Sequence, residues 1–262
     1  MDKAKQTGYS FGYYALGLLG VTGIIGGLYY LFQAFNDEPI SEETTTVIEQ
    51  MKQDVELKGG ELTPDDAIKI MALTNKHAEE IIKKSKPDID QRRREAINDR
   101  AKYDQICQEY FESKEHAYQA ATNSILKKFG NISMDDIQGI LSRVSPYELE
   151  RKTFEIDKPS FEGSIPDKQK VKEIFKYYGN ELSAKMREFH MNMSRFQGDP
   201  NMQDYLIFGI LILKVRVDDE LFIKYNYTEA QIRYLLYHHD LINDPEIKEV
   251  NDKIARFEDF MG

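Results

Sequence analysis

The sequence predicts an all-α protein: a single N-terminal transmembrane helix followed by one or two helical bundles. Three observations carry this. From Tyr9 to Phe35 no side chain is charged. Beyond Asp37, apolar residues recur at three- and four-residue spacing through most of the chain. Helix-start signatures, a Ser, Thr or Asp followed by proline or by an acid or amide three places on, punctuate that pattern repeatedly. The reading divides the chain into a basic stub (1–8), a membrane helix (9–35), a first helical region (40–152), a linker (153–166) and a second helical region (167–262).

The first element is "YSFGYYALGLLGVTGIIGGLYYLFQAF". A helix over Phe11–Phe32 would be about 33 Å long, matching a hydrocarbon core of roughly 30 Å. Tyr9, Phe11, Tyr13 and Tyr14 gather at one end and Tyr29, Tyr30, Phe32 and Phe35 at the other, the belt expected among lipid headgroups. A cleaved signal would be shorter in its apolar part and carry a small-x-small site. A helix buried in a water-soluble core would rarely tolerate so much glycine. On a helical wheel Gly12, Gly20, Gly23, Gly27 and Ala34 fall within roughly 80°. Gly23 and Gly27 have the small-xxx-small spacing that admits a second helix at close range, so these five residues are the expected helix-packing site within the membrane. Lys3 and Lys5 precede the span and no basic residue follows it until Lys52, which places the amino terminus on the cytoplasmic or matrix side and the bulk of the chain opposite.

The next elements read in order. A helix over Glu42–Leu57 presents Val47, Ile48, Met51 and Val55 and stops at Gly59–Gly60. A second, Pro64–Lys84, starts from Thr63 with proline at its first position and Asp66 as the acid. A long third helix is expected over Ile89–Phe129, stopped by Gly130. Short helices follow at Met134–Arg143, opened by Ser133 and Asp136, and at Pro146–Lys152, opened by Ser145. The stretch "TFEIDKPSFEGSIP" (153–166) is the expected linker. After it, Val171, Phe175, Tyr178, Leu182, Met186, Phe189, Met193 and Phe196 make a seam that suits a bundle core better than a four-heptad zipper. "YLIFGILIL", Tyr205–Leu213, is closed by Asp204 and Lys214 and too short to span a membrane. It is expected to be the buried centre of the second bundle, with a strand as the other reading because Ile210, Ile212, Val215 and Val217 are β-branched. Thr228 with Gln231, and Asp244 with Pro245, open the last two helices.

The chain carries a net charge of −10. Met1–Asn36 holds one acid and two lysines, so the remainder stands at −11. An acidic surface disfavours nucleic acid as a partner, which needs clustered Lys and Arg. The one basic cluster, Arg92–Arg94 with Arg100 and Lys102, is interleaved with Asp88, Asp90, Glu95 and Asp99 and reads as a solvated face laced with ion pairs. Cys107 is the single cysteine, excluding an internal disulfide, and reads as a small apolar filler. Gly60–Asp66 and Gly130–Asp136 mimic the second half of a calcium-binding loop. Their first-half ligand places hold Val55, Leu57 and Gly59, and Ile125, Lys127 and Phe129, so no calcium is expected. Both mimics are explained as capped helix starts.

None of the five histidines follows a glutamate by three residues, as a carboxylate-bridged di-iron bundle requires. Adjacent residues on a helix diverge too far for His238 and His239 to share one metal readily. No phosphate loop, nucleophile elbow or zinc-protease motif is present. Three N-x-S/T sequons, at Asn131, Asn192 and Asn226, are compatible with a secretory route. No catalytic, metal or cofactor-binding residue is therefore expected, and the chain is read as non-enzymatic. Its partners should be lipids and other subunits of a membrane complex, met through the membrane helix and the helical domain. In organisation alone the chain is similar to accessory subunits of respiratory complexes in the mitochondrial inner membrane, which implies a domain in the intermembrane space. The competing expectations are a membrane-tethered enzyme or regulator and a membrane adaptor of the secretory pathway.

Overall fold

Helix-start chemistry sets the architecture of the computed structural model, which describes residues 39–57, 61–85, 88–130, 132–161, 163–193 and 202–259. Among these there are ten helices and no strand: α1 (Glu42–Leu57), α2 (Pro64–Ser85), α3 (Ile89–Glu95), α4 (Arg100–Phe129), α5 (Met134–Leu141), α6 (Pro146–Ile156), α7 (Lys168–Met193), α8 (Met202–Tyr225), α9 (Glu229–His238) and α10 (Pro245–Asp259). None of these helices is long and apolar enough to cross a membrane. The expected span 9–35, with Gly12, Gly20, Gly23, Gly27 and Ala34, lies outside the described residues.

The caps take the form the sequence implies. The Thr63 hydroxyl accepts from the Asp66 amide (3.2 Å) while the Asp66 carboxylate accepts from the Thr63 amide (3.0 Å), satisfying donors that the first turn of α2 leaves open. Ser133 with Asp136 and Thr228 with Gln231 repeat this reciprocal box at α5 and α9. The Ser145 hydroxyl accepts from the Glu148 amide ahead of Pro146 at α6. Helix ends are as specific. Gly130 turns the chain at φ +79° after α4, and Asn226 does so at φ +59° after α8, in the left-handed region that glycine and asparagine accept most readily.

One expected helix is two. Between α3 and α4 the Asp99 carboxylate accepts from the Lys102 amide (3.2 Å) and the Tyr103 amide bonds the Asp99 carbonyl (2.8 Å), so Asp99 opens a new helix inside what reads as a continuous apolar pattern. At the other boundary α6 runs on to Ile156, four residues past the expected end.

Two compact units result, each discontinuous in sequence: residues 1–87 with 109–158, and residues 88–108 with 159–262. Asp88–Gln108, which the sequence assigns to the first region, thus packs in the second unit. In the first unit α2 is central, touching α1, α5 and α6. Its core gathers Ile48 and Met51 of α1, Ile68 and Met71 of α2, Ala121 and Ile125 of α4, and Ile137 and Leu149 of α5 and α6. In the second unit α7 is central, packing against α8, α9 and α10. The Val171, Phe175, Tyr178, Leu182 and Met186 seam is buried there with Val217, Leu221, Leu235 and Ile247. Gly179 allows the closest crossing: a Cβ there would lie 2.1 Å from Val250 Cγ1 on α10. Gly209 of α8 likewise seats the Phe189 ring of α7, whose nearest carbon would be 2.3 Å from an added Cβ.

The Tyr205–Leu213 run is helical, and its described side chains do not form a buried centre. Leu206 and Gly209 to Leu213 are half-buried and Phe208 is 37% exposed. The buried part of α8 begins further along, at Val215, Val217, Asp219 and Leu221. An uncharged run reports what a helix could bury, whereas burial also needs neighbours. Here Phe189 of α7 covers the Gly209 side, while α3 packs against α8 in the second unit.

Candidate functional site

The second unit holds a buried charged cluster built where α3, the start of α4 and α8 meet. Asp219 is fully buried, one turn beyond the buried Val215 on α8. Its carboxylate accepts from Arg93 Nε (2.9 Å) and Nη2 (3.1 Å), from Arg94 Nε (3.3 Å) and from the Tyr103 hydroxyl (2.9 Å). Such a forked arginine–carboxylate pair is among the stronger polar contacts available to a protein interior. The remaining arginine arm, Nη1, lies 2.7 Å from Asp90 Oδ1. Arg94 stacks its guanidinium 3.4 Å from the centre of the Phe222 ring. Arg216 donates to the Ile97 carbonyl (2.9 Å), tying the segment between α3 and α4 to α8.

The chemistry available to this cluster is restricted. Burial first, and the Asp219 charge next, drive the Tyr103 phenol far above its ordinary range, so it stays a neutral donor. Burial pushes the Cys107 thiol up to about 11, against the pull of its Tyr103 hydrogen bond and of Arg93. A thiol so placed is a poor nucleophile near neutrality. Asp218, next along α8, faces another way: its Oδ1 accepts from the Glu229 amide at the start of α9. Burial, and then the nearby Glu229 carboxylate, raise Asp218 from 3.8 to about 7, with the Glu229 amide and Arg93 opposing. Tyr178 of α7 bonds the Glu229 side chain and is itself held well above the ordinary tyrosine range by burial. The cluster thus combines a fixed ion pair with one carboxyl group poised to titrate near pH 7.

In the first unit the starts of α2 and α6 border a groove of about 530 Å³ lined by Asp65, Lys69, Arg143, Glu148 and Lys152. Lys152 bridges Asp65 and Glu148 across it. Its acids and cations balance, and Asp66 is engaged in the α2 cap. His77 of α2 is 1% exposed; neither ring nitrogen makes a hydrogen bond, and Glu80 lies 3.6 Å from Nδ1.

Among the described residues no group of three or more His, Cys, Asp or Glu side chains is arranged to hold a metal. His239 Nε2 lies 2.8 Å from the Pro166 carbonyl oxygen, and His238 stacks on Tyr234. Gly12, Gly20, Gly23, Gly27 and Ala34, the residues expected to pack a helix within the membrane, lie outside the described residues. Part of the arginine cluster departs from the solvated face expected of it: Arg93 is buried and Arg94 half-buried, both turned to Asp219, whereas Arg100 and Lys102 are exposed and Arg100 pairs with Asp104. A signal for this existed in the sequence. Asp219 follows Val215 by four residues and precedes Phe222 by three, an acid placed on an apolar stripe that demands a cation from elsewhere. Comparison with protein-family models, with curated proteins and with solved structures finds no match for the chain.

Proposed function

We propose that the chain is a non-catalytic accessory subunit of a large membrane complex, held by one glycine-faced transmembrane helix, with its acidic helical domain on the far side of the bilayer from the amino terminus. The observation that carries this is the charge-free stretch Tyr9–Phe35 with Gly12, Gly20, Gly23, Gly27 and Ala34 on one side. A whole small-residue face is a device for packing against another helix in lipid, where close backbone approach supplies the association energy. The folded part adds support. Its most elaborate polar cluster joins Arg93, Arg94 and Tyr103 to Asp219 and so fixes three helices to one another. That is the work of a rigid docking body.

The mitochondrial inner membrane, and a respiratory assembly within it, is the preferred setting; it rests on the resemblance in organisation. The reading is tested in the membrane helix. Gly23→Ile combined with Gly27→Ile should leave the protein embedded, because isoleucine only raises the span's hydrophobicity. It should abolish co-migration with the complex on native gels, while Leu18→Ile should leave co-migration intact. Unchanged co-migration of the double variant would remove the glycine face from the argument.

One observation favours a second reading, a membrane-tethered enzyme: a carboxyl group titrating near neutrality beside another acid is the profile of a general acid or base. Turnover by the purified protein that is lost in Asp218→Asn would favour it.

A further inference from the structure

We propose that the junction of α8 and α9 is a proton-operated latch: with a proton on Asp218 the first turn of α9 stays closed on α7 and α8, and without it that turn opens. The inference concerns the second unit alone and is independent of the anchored reading. Only Asn226, Tyr227 and Thr228 separate α8 from α9. Side chains from outside the helix then hold its start. Asp218 Oδ1, on α8, accepts from the Glu229 amide, one of the donors that a first turn leaves open. The Tyr178 hydroxyl of α7 donates to the Glu229 carboxylate. Gln231 completes the hold: its Oε1 accepts from the Thr228 amide (2.9 Å) and its Nε2 donates to the Ser160 carbonyl (2.6 Å). Beside Ser160, the centre of the Phe161 ring lies 5.7 Å from that of Tyr234 on α9.

Two carboxyl groups, Asp218 and Glu229, therefore meet at one helix start. That start supplies about half a unit of positive charge, which suits one carboxylate and not two. The charges facing Asp218 from each neighbouring element do not make up the difference. Asp219, beside it on α8, repels it. Arg93 of α3 attracts it, but that guanidinium is forked onto Asp219 and lies against Asp90. Arg233, one turn along α9 from Glu229, acts on the Tyr178 phenol of α7, which burial keeps neutral. A proton on Asp218 resolves the conflict, and Asp218 keeps some contact with solvent through which that proton exchanges. Burial first, and the Glu229 charge next, accordingly raise this carboxyl from 3.8 to about 7. The closed form binds the proton more tightly than the open one. Its advantage is complete below pH 4 and lost as pH rises through 7. Once Asp218 is ionised, the half-buried Glu229 relieves the repulsion by turning to water. That strips the buried Tyr178 hydroxyl of its acceptor and unseats the first turn. Gln231 belongs to the same turn, so Ser160 and Phe161 are released with it.

Hydrogen exchange of the full-length protein, resolved to single amides and normalised for the intrinsic pH dependence of exchange, tests the latch. Glu229, Gln231 and Ile232, whose amides bond Asp218 and Thr228, should exchange more readily than the amides of the α7 core at Phe175 and Leu182. Their protection should fall on the order of tenfold from pH 6 to pH 8. Asp218→Asn keeps an oxygen for the Glu229 amide and should flatten that fall. Glu229→Gln keeps an acceptor for Tyr178 and should shrink the fall to a few-fold, a response that a plain helix cap at Asp218 would not give. Glu229→Gln and the unmodified chain carry the test if Asp218→Asn folds poorly. Equal protection at pH 6 and pH 8 overturns the latch. So does a first turn that exchanges no faster than the α7 core, because the proton then acts on the whole unit at once. A tenfold fall that persists in Glu229→Gln overturns it too, leaving burial of Asp218 as the sole cause.

Discussion

Asp218 and Asp219 are neighbours with opposite fates. Asp219 is neutralised by two arginines, and the pair is worth keeping only while complete. Arg93→Met should cost about 3 kcal/mol in urea unfolding, because it leaves the buried Asp219 carboxylate with only Arg94 and the Tyr103 hydroxyl. Arg93→Met with Asp219→Leu should be less destabilised than Arg93→Met alone, which a double-mutant cycle reads directly. Asp218 has no such partner. Its proton is held more tightly in the folded chain, at about 7 against 3.8, so the stability this lends is complete below pH 4 and lost as pH rises through 7. Asp218→Asn keeps an oxygen for the Glu229 amide and removes the charge. It should therefore be more stable than the parent at pH 8, by about 1–3 kcal/mol, with the gap closing as pH falls toward 4. Thermal melting across pH checks it; a constant gap would show that the charge is not the cause.

Glycine shows how far the same substitution can differ between elements. Gly139, within α5, has open space where a Cβ would go, so Gly139→Ala should stabilise by about 0.5–1 kcal/mol through helix propensity. Gly179→Ala meets Val250, a branched and stiff side chain, and should instead destabilise by about 1–3 kcal/mol. Adding Val250→Ala should recover part of that loss, and chemical denaturation of the three variants tests the series. The helix starts were legible in the sequence because a cap is a local event: Thr63 with Asp66, Ser133 with Asp136 and Thr228 with Gln231 are each three residues apart. The opening of α4 was not, since Asp99 caps through the Lys102 backbone and leaves no side-chain signature at the third position. The incomplete burial of Leu206 and of Phe208 to Leu213 was hidden for another reason. Composition states how apolar a helix is and is silent on how many helices stand beside it. Arg93 and Asp219 are 126 residues apart, and only the acid on an apolar stripe hinted at the pair.

For the whole molecule, the asymmetry of Lys3 and Lys5 sets the expected topology. Protease added to the side opposite the amino terminus should digest the helical domain in intact organelles or cells, and protease on the amino-terminal side should reach it only after the membrane is breached. The reverse pattern would invert the orientation. The interleaving of the two units carries a consequence for how the chain is made. The first unit lacks nothing once residue 158 has left the ribosome, whereas Asp88–Gln108 must wait for partners encoded after it. At about 5–20 residues per second, Arg93 emerges on the order of 6–25 s before Asp219 does. During that interval α3 and the start of α4 are orphans, with Arg93 and Arg94 still waiting for the Asp219 carboxylate that they meet in the folded unit. Chaperone capture, or a hold on translation, would have its greatest effect in that window, and a protein truncated anywhere between 158 and 219 would present the same exposed segment to quality control.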